Sequence, residues 1–265
     1  MRHIKFIAIL SVIFLFAAQS LFAEPKKITL TTLDWEPYIG EKLPGHGYVY
    51  EIVAEAFKSV GYQVNIQFLP WPRAVEAAKS GKADGLFPEY YAEKRKTDFV
   101  YSDSFPGGPV GFLARKDSRI TFPVDPRKEQ TKALRGMKHY TFGVVRDYIN
   151  TKEFDAASFL KKDMADNDEQ NIAKLYAKRI NLIFIDMLVA QYLIKTRFPQ
   201  YAKDLEFLTP PLEVKPLYIV FSKKAPGYKQ KMKDFNEGLK ILKKNGAIEA
   251  IMKKYWFWYQ VAIKY

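Results

Sequence analysis

The chain contains no cysteine. Disulfides, cysteine-ligated metal sites and a thiol nucleophile are therefore excluded, and so is a lipid attached to an N-terminal cysteine. Histidine is almost as scarce. His3, His46 and His139 lie far apart, so neither metal-ligand spacing nor a His–Asp–Ser order can be read. No Gly-rich phosphate loop is present, and Gly107-Gly108 precedes a proline and reads as a turn. There is no low-complexity segment. Beyond the first 23 residues no apolar run approaches the roughly 20 residues that cross a bilayer. No metal and no cofactor is expected.

Arg2, His3 and Lys5 make a basic start, Phe6 to Ala18 is apolar and uncharged, and Leu21-Phe22-Ala23 forms a short exit. This is the three-part pattern of a secretory signal over residues 1–23. An uncleaved membrane anchor is the alternative, disfavoured by Glu24-Pro25-Lys26-Lys27. The expected mature chain of about 240 residues suits one or two domains with a sizeable core. A freely diffusing periplasmic monomer is the expected form. The net charge is +13, from 42 basic and 29 acidic residues. The lysines are spread out, as at Lys161-Lys162, Lys223-Lys224 and Lys243-Lys244, mostly in what read as amphipathic helices with solvated faces. Nucleic acid is not an expected partner.

Strands are expected at 28–33, 64–69, 83–87, 140–145, 182–185 and 218–222, with an apolar segment at 110–114. Helices are expected at 48–59, 73–80, 150–160 and 187–196, from an Asn167/Gln170 capping box to Arg179, and twice at the C-terminus around Gly246. Strand–helix alternation of this kind indicates an α/β fold. Lys82 to Phe87 and Arg179 to Phe184 echo one another as helix ends feeding buried strands. The Pro-containing stretches 121–126 and 209–216 are where the chain is expected to pass between lobes.

Ligand chemistry in α/β folds gathers in loops after strands, and several polar residues fall there. Arg95, in Glu93-Lys94-Arg95, can grip a carboxylate through its planar fork. Taken alone it reads better as a surface arginine paired with Asp98. Asp186 directly follows the apolar run 182–185 and can receive an ammonium or cap the next helix. Glu89 and Asp103 are further acids that bind an amine or face solvent. Arg73 meets an anion at a helix start or contacts Glu76. Trp35, Tyr38, Trp71, Tyr90 and Phe105 stand beside strand ends and can wall a pocket or pack as ordinary core. Trp256-Phe257-Trp258-Tyr259 reads as core or interface.

Taken in order, Ile28 to Tyr38, Gly47 to Gly61, Gly81-Lys82-Ala83-Asp84, Glu93-Lys94-Arg95, Tyr101 to Pro106, Leu134-Arg135-Gly136, Ile180 to Asp186 and Gly246 to Trp256 resemble the family 3 extracellular solute-binding proteins, the polar amino-acid receptors of ABC importers. The resemblance covers essentially the whole mature chain. It implies a two-lobed periplasmic binding protein fold of type II, with the lobes joined by two hinge strands and the ligand between them. Lobe 1 would be 24–115 plus 221–265, and lobe 2 would be 116–220. It also implies that Arg95 binds a ligand α-carboxylate and Asp186 an α-amine.

The chain departs from the family pattern at two places. Pro88-Glu89-Tyr90-Tyr91 stands where a Ser/Thr-rich segment is usual, and Val145-Arg146-Asp147-Tyr148 where a Gly-Thr pair is usual. Charge and aromatic bulk replace two donor clusters. Glu89, Arg146 and Asp147 are thus expected to tune selectivity, with Tyr148 beside them at the site. Glu89 and Tyr90, in place of small hydroxyls, are expected to favour a ligand with an extra cationic or donor group and disfavour dicarboxylates. The expectation is a non-enzymatic receptor for an amino acid or related amine, serving an inner-membrane ABC permease or a membrane sensor. A dehydratase-like enzyme using Glu89 as acid is the remaining rival.

Overall fold

The computed structural model describes residues 25–264. The signal-like segment 1–23 and the side chains of Trp256 to Tyr259 lie outside the described residues. The first unit runs β1 (Lys26–Thr32), α1 (Tyr48–Lys58), β2 (Tyr62–Phe68), α2 (Trp71–Lys79), β3 (Gly85–Glu89) and β4 (Phe99–Tyr101). The long β5 (Phe105–Arg115) leads to α3 (Gln130–Gly136), β6 (Thr141–Val145), α4 (Lys152–Ala156), β7 (Lys161–Ala165), α5 (Asp168–Tyr176), β8 (Leu182–Asp186), α6 (Met187–Thr196) and β9 (Leu205–Phe207). The equally long β10 (Glu213–Ser222) returns to α7 (Tyr228–Lys244) and α8 (Ala247–Lys264).

The sheet order is β2-β1-β3-β10-β5-β8-β6-β7, with β4 on β10 and β9 on β5. β1 is parallel to β2 and β3, and β6 is parallel to β7 and β8. These two parallel units flank an antiparallel pair. β10 pairs with β3 through Tyr218 to Phe221 and with β5 through Glu213 to Leu217. β5 pairs with β10 from Phe105 and with β8 over Val110 to Ala114. Each long strand thus belongs to one lobe at one end and to the other lobe at the other. The fold is α/β, built as two lobes.

Burial explains the strands. Every residue of β3 and β8 is buried, so both read as continuous apolar runs, whereas the edge strand β2 alternates. Phe57, Phe221 and Phe235 cluster in one lobe. Phe112, Phe142, Phe154 and Phe184 cluster in the other. Among the described residues no helix is long and apolar enough to cross a membrane.

Several expectations are corrected. Gly107-Gly108 is not a turn but lies inside β5. A Cβ at Gly107 would come within 2.1 Å of the Lys215 carbonyl, and one at Gly108 within 1.9 Å of the Tyr38 hydroxyl, so close approach and not turning explains the pair. Lys161 and Lys162 open β7 instead of lying on a helix. Lysine at an edge strand blunts pairing with another chain. The helix expected over 150–160 shrinks to α4, which Thr151 caps and which ends at Ala156. Asn167 caps α5 as expected by accepting from the Gln170 N–H at 2.9 Å, but the Gln170 side chain accepts from the Asp166 N–H and not from that of Asn167.

Candidate functional site

The loops after β1, β3, β6 and β8 converge where the lobes meet. Leu33, Trp35, Pro88, Glu89, Tyr148 and Leu217, with Trp71, Tyr90 and Ile149, line an inner chamber of about 30 Å³. Such a volume holds about two waters. A larger vestibule of about 320 Å³ adjoins it, lined by Asp34, Glu36, Asn167, Asp168, Glu169 and Arg197 among others. Trp35 and Tyr148 line both spaces.

Asp186 ends β8 and is 4% exposed. Its Oδ1 accepts the backbone N–H groups of Leu188 and Val189 at 2.8 and 3.2 Å, which caps α6. Its Oδ2 accepts the hydroxyls of Tyr38 at 2.9 Å and Tyr90 at 3.1 Å, both from the opposite lobe. The capping role offered by the sequence is filled by Oδ1, while Oδ2 is taken by the two tyrosine hydroxyls. Burial pushes its pKa up to about 6 against these hydrogen bonds. Burial, with Asp186 beside them, raises both phenols well above their usual range, so they donate. Trp35 stacks on Tyr38 at 4.6 Å and meets Tyr90 edge-on at 5.8 Å.

Glu89 ends β3 and is 3% exposed. Its Oε1 accepts the Tyr90 N–H at 3.1 Å. Its Oε2 lies 2.9 Å from Arg95 Nε, an ion contact too poorly aligned to be a hydrogen bond. Burial outweighs the arginine and pushes the Glu89 pKa up to about 7. Arg95 Nη2 donates to the Asp147 carbonyl at 2.8 Å. Trp71 Nε1 donates to the same carbonyl at 3.1 Å, and the Trp71 ring meets Tyr148 edge-on at 6.0 Å. Asp147 adopts φ 62°, which turns the loop. Arg95 is accordingly not a surface arginine paired with Asp98, which pairs with Lys79; it contacts Glu89 and the Asp147 carbonyl. It joins the two lobes.

Three nominated residues stand apart. Arg73 is exposed on α2 and lines neither space. Arg146 is exposed and sits 3.3 Å from Asp166. Phe105 is buried against Phe235 at 6.4 Å, in the core of its lobe. The remaining nominees, Arg95, Asp186, Glu89, Tyr90, Trp35, Tyr38, Trp71, Asp147 and Tyr148, come together.

Two residues of the site were not anticipated. Asp168 opens α5, is buried, and has the Trp35 and Tyr148 side chains beside it, which partly offset its rise in pKa. Burial, then nearby Asp186, raises its pKa to about 7. It follows β7, and reading β7 as a strand would have placed it at a strand end. Lys215 is buried in β10, 5.0 Å over the Tyr90 ring, and burial lowers its pKa. Its position needed the true start of β10. Among the described residues no group of acids or histidines could hold a metal ion.

The fold matches many solved structures. A histidine kinase sensor domain with similarity to periplasmic binding proteins superposes with a TM-score of 0.72 at 20% identity, covering 88% of this chain and 96% of that one. An ABC uptake transporter substrate-binding protein from Streptococcus pneumoniae with bound histidine gives 0.69 at 19%, over 86% and 92%. The GluR0 ligand-binding core from Nostoc punctiforme with L-glutamate gives 0.69 at 13%, over 86% and 98%. No curated protein matches the sequence. At these identities the structures establish the two-lobed fold alone. The family profile decides more, because it matches residues 30–258: the chain belongs to the bacterial extracellular solute-binding proteins, family 3.

Proposed function

We propose that this protein is a periplasmic receptor that encloses a small amine-bearing solute between its lobes and presents it to an inner-membrane ABC permease. The observation that carries the reading is the junction at Asp186. A buried carboxylate of one lobe is held by tyrosines of the other, beside a cleft walled by Trp35, Trp71, Tyr90 and Tyr148. Glu89 and Asp168, which line the two spaces, supply acceptors for an amine, and the aromatic rings can cover it. The reading assigns no covalent step. Residues 1–23 serve as the export signal, and the monomer is the working form. We place the lobe crossings near Pro109 in β5 and Leu217 in β10, a few residues before each boundary read from the sequence, since Val110 to Ala114 pair with β8 and Tyr218 onward pairs with β3.

The superposition on a histidine kinase sensor domain favours a second reading, in which the closed form is handed to a membrane sensor. Native mass spectrometry of freshly purified protein tests capture itself, and a retained small molecule released on unfolding is the expected result. Absence of any bound mass, together with scattering curves unchanged by any solute, would sink the reading. Loss of cellular uptake of the captured compound on deletion separates import from sensing.

A further inference from the structure

The cleft carries its acid at two places separated by aromatic rings. At one end, the Glu89 carboxylate lines a chamber whose other walls are Leu33, Pro88, Ile149, Leu217 and aromatic rings, and its buried Oε2 has Arg95 Nε at 2.9 Å without a well-aligned hydrogen bond. A buried carboxylate whose cation contact is poorly aligned can still take a better-placed donor. The nearby cation does not offer itself to a ligand anion. Arg95 has Nε against Glu89 and Nη2 on the Asp147 carbonyl. Lys215 lines neither space and sits over Tyr90.

At the outer end, the vestibule gathers Asp34, Glu36, Asp168 and Glu169 against Arg197 alone. Arg197 reaches Glu36 and Glu169 only at 3.9 and 3.7 Å. Size adds a constraint. The chamber of about 30 Å³ holds a group the size of an ammonium. The vestibule is ten times larger, at about 320 Å³. The wall common to both consists of Trp35 and Tyr148, flat faces suited to an alkyl chain.

We propose that the ligand is a short linear diamine without a carboxylate, with one ammonium at Glu89, its alkyl chain along Trp35 and Tyr148, and its second ammonium among Asp168, Glu36 and Glu169. This rests on the capture reading above and narrows its ligand class. The carboxylate role of Arg95 is thereby replaced by neutralisation of Glu89 and attachment to the opposite lobe.

Calorimetry with putrescine, cadaverine, ornithine, lysine and butylamine tests it. Ornithine and lysine are the same two diamines carrying an α-carboxylate, and butylamine lacks the second cation. The diamines should bind at least about tenfold more tightly than the matching amino acid and than butylamine. Glu89→Gln and Glu36→Gln should each weaken diamine binding by about tenfold or more. Glu36 lies at the rim, so its variant keeps the test usable if Glu89→Gln fails to fold, and the wild-type series needs neither. Lysine or ornithine binding as tightly as its diamine overturns the diamine assignment and leaves capture of an amine intact. No binding by any of the five also overturns it, while the retained mass in native spectrometry decides capture separately.

Discussion

Arg95 and Glu89 form a buried ion pair whose members do different work. The carboxylate faces the chamber, and the guanidinium reaches the other lobe. Arg95→Ala should leave Glu89 uncompensated and cost roughly 2–4 kcal/mol at alkaline pH. Most of that should return in the Arg95→Ala/Glu89→Gln double variant, as read from urea midpoints in a double-mutant cycle. Purely additive losses would mean that the two are not coupled. Proton linkage gives a second expectation at this scale. Glu89 and Asp168 are raised to about 7 and Asp186 to about 6, from ordinary values of 4.5 and 3.8. The folded chain holds protons that the unfolded chain releases. Ligand-free stability contributed by these groups should be fully present below about pH 4 and should decline as pH rises through about 6 to 7. A cationic ligand should reverse the trend, since it favours the ionised carboxylates, and its affinity should rise over the same interval. Thermal midpoints across that range, with and without putrescine, check both signs.

At the scale of elements, the site depends on where strands stop. β8 ends at Asp186, which caps α6 while accepting the two tyrosines, so a single residue joins helix start and cleft. Gly108 in β5 makes that arrangement possible by leaving room for the Tyr38 hydroxyl. Gly108→Ala should displace Tyr38 from Asp186 and reduce ligand affinity by about tenfold or more, with a smaller loss of stability. Unchanged affinity would show that the tyrosine contact is dispensable. The elements themselves were largely legible. The apolar run 182–185 and the helix over 187–196 needed only local pattern, and α6 has the expected bounds. β7 was hidden because Lys161-Lys162-Asp163 carries no apolar alternation, being an edge strand held by β6. With β7 went Asp168. Asp186 was visible as an acid after a buried strand. The Glu89–Arg95 pairing was not, because six residues of separation do not say whether a loop turns its arginine inward. Gly107-Gly108 resembled a turn for a related reason. Glycines that admit a distant side chain look like glycines that bend the chain.

Across the whole molecule, the lobes are joined by β5 and β10 and touch through Trp71, Arg95, Tyr38 and Tyr90. Opening must break these contacts, and a ligand must make better ones to hold the lobes shut. Tyr38→Phe/Tyr90→Phe should therefore give a larger radius of gyration than the wild type in the absence of ligand, by small-angle scattering. Identical curves would place the energetics of closure elsewhere.

Two of the donors that reach across the cleft, Trp71 Nε1 and Arg95 Nη2, end on the main-chain oxygen of Asp147, whose own carboxylate is exposed. An acceptor of that kind has no side chain to lose. Position 147 can drift among Asp, Asn and Gly, which tolerate its left-handed backbone, without removing the acceptor. Ancestry at this point would be recorded as loop shape, not as residue identity. Descendants could exchange ligands by changing the walls while inheriting the same way of closing.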